Sequence, residues 1–115
     1  MSDLGRYGEE LAREYLEEQG LNILETNYHF HHGEVDIIAE AGELLVFCEV
    51  KTRSNDRFGA PEQAITPLKA QQIRKVAGAY LTTHQIRGRQ CRFDVIGIMV
   101  RCGVARLNHL RNAFW

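Results

Sequence analysis

The segment GEVDIIAEAGELLVFCEVKTR, residues 33–53, decides the fold, because it places charged residues inside strands that are otherwise apolar. Its pattern predicts strands over 34–39 and 44–52, joined by a turn at 40–43. The second strand is apolar on both faces, which is typical of a central strand covered above and below. Asp36, Glu49 and Lys51 interrupt this pattern. Charged side chains are seldom buried unless they are paired or bind a metal.

Hairpin geometry predicts how these three side chains are arranged. Glu49 and Lys51 share a face because strand side chains alternate. A two-residue loop at 41–42 would place Asp36 diagonal to Glu49, and a four-residue loop at 41–44 would place the two directly opposite. Either even-length loop puts Asp36 on the face of Glu49 and Lys51. An odd-length loop would put it on the other face.

Two carboxylates and an ammonium in this arrangement indicate a phosphodiesterase site that uses a divalent cation. Carboxylate oxygens suit Mg²⁺ or Mn²⁺, which acidify a bound water and neutralise charge on a phosphate. Lys51 could position the attacking water or stabilise the developing oxyanion. The alternative is an internal ion pair between Asp36 and Lys51, with Glu49 solvated at a sheet edge.

The rest of the chain supplies two helices and three strands around this hairpin. Residues 3–19 form a predicted helix with Ser2 as its cap and Gly20 after its end. A strand over 21–30 follows. Beyond a loop at 53–65, Thr66 and Pro67 begin a second helix, whose predicted inner face is Leu68, Gln72, Ile73, Val76, Ala77, Tyr80 and Leu81. Strands over 92–100 and 104–110 end the chain, where Phe114 and Trp115 could seal the core or contact a second subunit.

The element order α-β-β-β-α-β-β predicts an α/β fold with one mixed sheet flanked by helices, in a single domain over 1–115. No apolar run approaches the length of a transmembrane helix. The polar N-terminus is unlike a signal peptide, so we expect a cytoplasmic protein. Cys48, Cys91 and Cys102 lack the spacing of a zinc site, and the simplest interpretation is free buried thiols.

The formal net charge of −1 hides an asymmetry. Residues 1–50 contain twelve acids and two bases, whereas residues 51–115 contain twelve bases and three acids. A basic region beside an acidic cluster suits a polyanion held near bound cations. Mutual neutralisation of the two halves by surface pairing is an equally good interpretation.

The chain resembles the YraN family, uncharacterised bacterial proteins that are regarded as endonucleases. The resemblance runs nearly end to end, through GRYGEELAREYL at 5–16, GEVDIIA at 33–39, VFCEVKTR at 46–53, FGAPEQAI at 58–65, RFDVIGI at 92–98 and NHLRNAF at 108–114. This family is similar to archaeal Holliday-junction resolvases and to the PD-(D/E)xK, or restriction-endonuclease-like, superfamily.

The resemblance implies a restriction-endonuclease-like sheet with Asp36 and Glu49 as metal ligands and Lys51 as the catalytic lysine. It adds Glu9 as a further acidic residue of the first helix, although a plain surface glutamate fits that position as well. The family usually has a basic residue, often Arg, shortly before the G-E-x-D segment. Here His31 and His32 stand instead, and they could contact phosphate or simply end an exposed strand.

Other polar residues are candidate contacts to nucleic acid, each with a solvated surface position as its alternative. They are Arg53, Arg57, Gln63, Lys69, Arg74 and Lys75. The first hypothesis is a Mg²⁺- or Mn²⁺-dependent endonuclease acting on branched or damaged DNA, and resolvases suggest a homodimer by analogy. The second is a non-catalytic nucleic-acid-binding module on the same fold. A protein–protein adaptor is the third.

Overall fold

The computed structural model describes residues 2–55, 57 and 59–114 of the chain. Two helices, five strands and a short 3₁₀ helix follow one another in the order α1 (Asp3–Glu18), β1 (Asn22–Phe30), β2 (Gly33–Ala41), β3 (Leu44–Arg53), 3₁₀ helix (Pro61–Gln63), α2 (Pro67–Thr83), β4 (Gln90–Arg101) and β5 (Val104–Phe114). The predicted α/β class and element order are confirmed. Within these residues, neither α-helix is long and apolar enough to cross a membrane.

The five strands form one mixed sheet in which their spatial order equals their order along the chain. Strands β3 and β4 are parallel, and every other neighbouring pair is antiparallel. The parallel pair requires a crossover, which α2 provides. The strand β3 therefore lies at the centre of the sheet, as its apolar sequence predicted.

The core lies on both faces of the sheet. On one face, α1 packs with Ala12 and Leu16 against a cluster that includes Cys48 and Val50 of β3. On the other face, α2 covers Leu45 and Phe47 of the same strand, with the buried side chains Ile73, Val76, Ala77 and Tyr80. Alternate residues of β3 thus supply both cores, which explains why this strand tolerates few polar residues.

Both helices begin at the predicted caps. The Ser2 hydroxyl accepts a hydrogen bond from the backbone N–H of Gly5 at 3.0 Å, and the Thr66 hydroxyl accepts one from Lys69 at 3.1 Å. Gly20 has a φ of +92°, the left-handed conformation that glycine adopts after a helix. The N-cap, first-turn proline and terminal glycine signals were therefore sufficient to locate these helix ends.

The predicted inner face of α2 was partly wrong. Leu68 is 66% exposed and Gln72 is also exposed, whereas Ala70 is buried. Two residues of an α-helix span about 200°, so Leu68 lies on the side opposite Ala70. The buried face is therefore rotated toward Ala70, Ile73 and Ala77. Tyr7 of α1, which has the helical spacing of that helix's apolar face, is likewise exposed.

Three further predictions required correction or extension. The loop between β2 and β3 is Gly42–Glu43, so the bounds of both predicted loops, 41–42 and 41–44, were wrong. Only Cys48 is a buried thiol; Cys91 and Cys102 are exposed, because they lie at the start of β4 and in the turn after it. Strand β5 continues to Phe114, which stacks on Phe93 at 5.1 Å between ring centroids. Trp115 lies outside the described residues.

Candidate functional site

The sheet opens into a fork between the neighbouring strands β2 and β3. Strands β2 and β3 are paired from Ala41 and Leu44 as far as Ile37 and Cys48. Beyond that point, β2 remains paired with β1, and β3 remains paired with β4. The next residues along the two strands are Asp36 and Glu49. Both carboxylates therefore stand where the central hydrogen-bond ladder ends.

Asp36 bridges this fork. Its Oδ2 accepts a hydrogen bond from the backbone N–H of Val50 at 2.8 Å, which satisfies a donor close to where the β2–β3 ladder ends. The two-residue loop is even in length, and the register that pairs Ile37 with Cys48, extended by one residue beyond the end of the ladder, sets Asp36 opposite Glu49. This is the register that the sequence predicted for a four-residue loop.

The carboxyl groups of Asp36 and Glu49 lie within hydrogen-bonding reach of each other, and both residues are buried. Burial, followed by this contact and the negative charge of Glu49, raises the pKa of Asp36 well above its ordinary value. The N–H of Val50 opposes the rise. Two buried acids in contact repel each other when both are ionised. Their proximity therefore favours either a proton on one of the two carboxyl groups or a cation bound between them.

Two more carboxylates complete an acidic group. One oxygen each from Glu9, Glu34 and Asp36 lie within 4.8 Å of one another. The Asn27 amide holds two of them, since its Nδ2 donates to Glu9 Oε1 at 2.9 Å and to Glu34 Oε1 at 3.0 Å. Burial raises the pKa of Glu9 above its ordinary value, although the hydrogen bond from Asn27 lowers it. Glu34 also pairs with His29, Nε2 to Oε2, at 2.8 Å.

Close packing of α1 on β3 brings Glu9 to the fork. Gly8 is buried, and a Cβ at this position would collide with the Thr52 side chain. Glycine inside a helix costs up to about 1 kcal/mol relative to alanine. The contact with β3 explains why the sequence accepts that cost. Glu9 is the next residue along α1, so this approach also places its carboxylate beside the other acids.

Glu49 is the most deeply buried acid of the group at 4% exposure, and its Oε2 accepts no hydrogen bond from any residue that the structure describes. The Lys69 ammonium lies 3.3 Å from this oxygen, at ion-pair distance. The contact is an ion pair without the alignment of a hydrogen bond, so the oxygen keeps a free coordination position. Lys69, predicted as a nucleic-acid contact, is thus tied to the acidic group.

Lys51 follows Glu49 by two residues and shares its face of β3 by strand alternation. It is half-buried. The alternative of an internal Asp36–Lys51 ion pair is wrong, because Lys51 makes no hydrogen bond or ion pair with any residue in the described part of the chain. Its ammonium is therefore not held by another described residue.

The remaining predicted nucleic-acid contacts differ in how exposed they are. Arg53 is half-buried and donates to the carbonyl of Thr52 at 3.1 Å. His31 and His32 form the exposed turn between β1 and β2, in agreement with the exposed-strand-end alternative. The other predicted contacts, apart from Lys69, have exposed positions: Arg57, Gln63, Arg74 and Lys75.

Sequence reasoning missed Glu34 and Asn27 as members of the site. Glu34 had a detectable signal, since it precedes Asp36 by two residues in the GEVD segment. Asn27 had none, because its role depends on a left-handed backbone with φ of +52° in the middle of β1. A cleft beside Glu9, between α1 and β1, is also lined by Arg6 and Arg13. These two bases were not predicted as contacts.

A second polar network lies away from the fork. Buried Asp94 accepts hydrogen bonds from Arg92 Nε at 2.8 Å and His109 Nε2 at 2.7 Å. The other ring nitrogen of His109 lies 2.9 Å from the Tyr15 hydroxyl of α1. Arg92 and Asp94 stand two residues apart on β4 and form an ion pair. This network joins α1, β4 and β5 and has a structural role.

The donor set at the fork fits a hard divalent cation. It contains only carboxylate oxygens, which Mg²⁺ and Mn²⁺ prefer over nitrogen or sulfur donors. It also offers a buried oxygen on Glu49 that no described donor satisfies. Buried polar atoms are normally hydrogen-bonded, whereas this oxygen has only the Lys69 ammonium at ion-pair distance and keeps a position that a cation would fit.

The fold and this site define an α/β protein with a forked mixed sheet and a group of acids at the fork, of which Asp36 and Glu49 are buried. The model of the uncharacterised protein family UPF0102 matches residues 8–98. A UPF0102 protein of Syntrophomonas wolfei is 45% identical over 97% of this chain and 97% of its own. One from Geobacter sulfurreducens is 46% identical over 96% and 88%, and one from Beutenbergia cavernae is 44% identical over 94% and 92%.

The chain belongs to family UPF0102, which is the YraN family that its motifs indicated.

Proposed function

We propose that this protein is a metal-dependent endonuclease that hydrolyses DNA phosphodiester bonds, with branched or damaged DNA as its substrate class. The observation that carries the proposal is the close group of Glu9, Glu34 and Asp36 at the sheet fork, in contact with Glu49, which has a buried oxygen without a hydrogen bond. Such a group is costly to the fold unless a cation neutralises it. A function that needs these acids explains why the sequence keeps them despite their cost to stability.

The proposed roles follow from position. Glu9, Asp36 and Glu49 hold the cation, and Glu34 is a fourth carboxylate within reach. A bound Mg²⁺ or Mn²⁺ supplies a Lewis acid that lowers the pKa of water and neutralises phosphate charge. Lys51, unpaired beside Glu49, orients the attacking water or stabilises the oxyanion. The buried setting of the acids strengthens each electrostatic interaction.

The surface around the fork can hold a phosphate backbone. Arg53 and Arg57 follow the site along the chain, and Arg6 and Arg13 line the cleft beside Glu9. Phosphate contacts position a nucleic acid without reading its sequence. We therefore propose recognition of backbone and shape. A homodimer that cuts two strands is a further part of the proposal, and it rests on the resemblance to resolvases.

Cleavage assays test the proposal. Purified protein is incubated with branched and linear DNA in the presence of Mn²⁺ or Mg²⁺, beside the variants Glu49→Gln and Lys51→Ala. We expect metal-dependent cleavage by the unaltered chain and a loss of at least about 100-fold in each variant, since each removes a group from the reacting centre. Glu17→Gln and Arg87→Ala are matched controls, because both residues are exposed and neither belongs to the group of acids at the fork.

Equal cleavage by the unaltered chain and by Glu49→Gln would contradict the proposal. Binding of DNA without cleavage would instead support the non-catalytic nucleic-acid-binding module. One observation favours that second candidate: Lys69 already pairs with Glu49, so one carboxylate of the proposed metal centre has a positive partner within the protein. Absence of both DNA binding and cleavage would favour the adaptor.

A further inference from the structure

Lys69 reaches the acidic group from the opposite helix. It lies in the first turn of α2, where its backbone N–H donates to the Thr66 cap. Its side chain is 33% exposed, whereas that of Glu49 is 4% exposed. The ammonium is therefore the more solvated partner of the pair, and it contacts the buried acid at 3.3 Å.

The acids divide into two sets around the fork. Glu9, Glu34 and Asp36 form a close group on the side of α1 and β1, where Asn27 orders two of them. Glu49 faces α2 and has Lys69 as its ion-pair partner. Asp36 contacts Glu49 and so lies between the two sets. A cation bound to the first group would be a near neighbour of the Lys69 ammonium.

We propose that Lys69 is a built-in cation that competes with a divalent metal for Glu49, an inference that rests on the proposed function of the fork. The ammonium neutralises Glu49 when no metal is bound. A metal held by Glu9 and Asp36, with Glu34 within reach, gains Glu49 as its further ligand only when Lys69 leaves the Glu49 oxygen. Lys69 thus lowers the affinity of the site for a divalent cation and stabilises the metal-free protein.

Two observations support competition over a purely structural ion pair. The Lys69–Glu49 contact lacks hydrogen-bond alignment, so Oε2 keeps an unused acceptor position. The ammonium is also partly solvated, so it can move back into water at a modest cost, whereas Glu49 cannot. An ion pair of this kind breaks when a divalent metal, which carries twice the charge of the ammonium, binds the carboxylate.

Isothermal titration with Mn²⁺ alone, at constant neutral pH and without DNA, tests the inference. The proteins compared are the unaltered chain, Lys69→Met, Lys69→Arg and Arg87→Met. Lys69→Met removes the charge and keeps an unbranched apolar stem. Lys69→Arg keeps the charge. Arg87→Met removes an exposed charge beyond the far end of α2 and is the matched control.

We expect Lys69→Met to bind Mn²⁺ at least about tenfold more tightly, because a nearby positive charge and a competitor for Glu49 are both removed. Lys69→Arg and Arg87→Met should stay within about threefold of the unaltered chain. Thermal melting gives a second readout: Mn²⁺ should raise the Tm of Lys69→Met by more than that of the unaltered chain, because Glu49 then lacks any other cation.

The outcomes separate this inference from the proposed function. If the unaltered chain binds Mn²⁺ and Lys69→Met binds it no more tightly, the competition is wrong while the metal centre stands. If neither protein binds Mn²⁺ or gains Tm from it, both proposals fail. If Lys69→Met binds Mn²⁺ and the unaltered chain does not, the competition is supported, because Lys69 then prevents metal binding altogether. Equal tightening in Lys69→Arg would overturn it, since the charge is still present.

Discussion

At the scale of single residues, two uncharged residues, Gly8 and Asn27, bring the acidic side chains of the fork close together. Gly8 lets α1 approach Thr52 closely, and Asn27 adopts a left-handed backbone that directs its amide at two carboxylates. Left-handed conformations are uncommon for residues other than glycine and cluster at functional sites. The acids supply the chemistry at the fork, but these two residues supply its geometry.

Replacing Gly8 by alanine should therefore destabilise the protein and displace Glu9. The added methyl would collide with the Thr52 side chain, and overpacking of this kind costs about 1–3 kcal/mol. Urea denaturation measures this loss. We also expect weaker Mn²⁺ binding, because the helix must move away from β3.

Gly78→Ala is the matched control, since it lies inside α2 with no atom near the added methyl. It should stabilise the protein by up to about 1 kcal/mol. The double variant Gly8→Ala with Thr52→Ala should recover much of the lost stability. Full stability of Gly8→Ala alone would show that α1 is not held in place by this contact.

At the scale of elements, α2 does two things at once. Its apolar face covers one side of the sheet, and its first turn presents Lys69 to Glu49. The first turn is secured by the Thr66 cap, whose hydroxyl accepts from the Lys69 amide. The position of the Lys69 side chain thus depends on the same residue that begins the helix.

Thr66→Ala should lower the free energy of unfolding by about 1 kcal/mol, the usual cost of losing a helix cap. Chemical denaturation followed by circular dichroism measures the change. Thr82→Ala is the control, because Thr82 is exposed near the other end of α2 and its replacement should change stability by less than about 0.5 kcal/mol. Equal effects of the two substitutions would argue against a capping role for Thr66.

At the scale of the whole molecule, the Asp94 network joins elements that are distant in sequence. Burial alone would raise the pKa of Asp94, but hydrogen bonds from His109, Arg92 and the Asn112 backbone outweigh it and hold the pKa below its ordinary value of 3.8. A lowered pKa in the folded state means that ionised Asp94 stabilises the fold above the unfolded pKa. This stabilisation is lost as pH falls through the folded value.

Asp94→Asn should cost about 3 kcal/mol at neutral pH, because it leaves Arg92 and His109 without their buried anion. The difference from the unaltered chain should shrink as pH falls below 3.8, where the unaltered chain loses the same charge. Denaturation at a series of pH values measures it. Glu17→Gln, an exposed control on α1, should show a small difference that does not follow this pH dependence. If the difference in the free energy of unfolding between Asp94→Asn and the unaltered chain does not change with pH, ionised Asp94 is not the group that stabilises the fold.

The two charged halves of the chain also meet at this scale. Lys69 pairs with Glu49, and Arg89 pairs with Glu40 at 3.1 Å while donating to the carbonyls of Gly42 and Glu43. Mutual neutralisation of the halves is therefore part of the explanation for their asymmetry. It does not use all of the bases, since Lys51 makes no ion pair within the described part of the chain.

The amino-acid sequence by itself determined the element order, the helix caps and the central position of β3, whereas the loop length that places Asp36 near Glu49 was left open. These features depend on residues close together in the chain, through periodicity, capping and turn chemistry. Only the tertiary structure decided that β2 and β3 part at Asp36, that Asn27 and Glu34 join the acids, and that Lys69 pairs with Glu49. Each of these depends on which elements lie side by side, and that depends on the packing of two helices on opposite faces of one sheet.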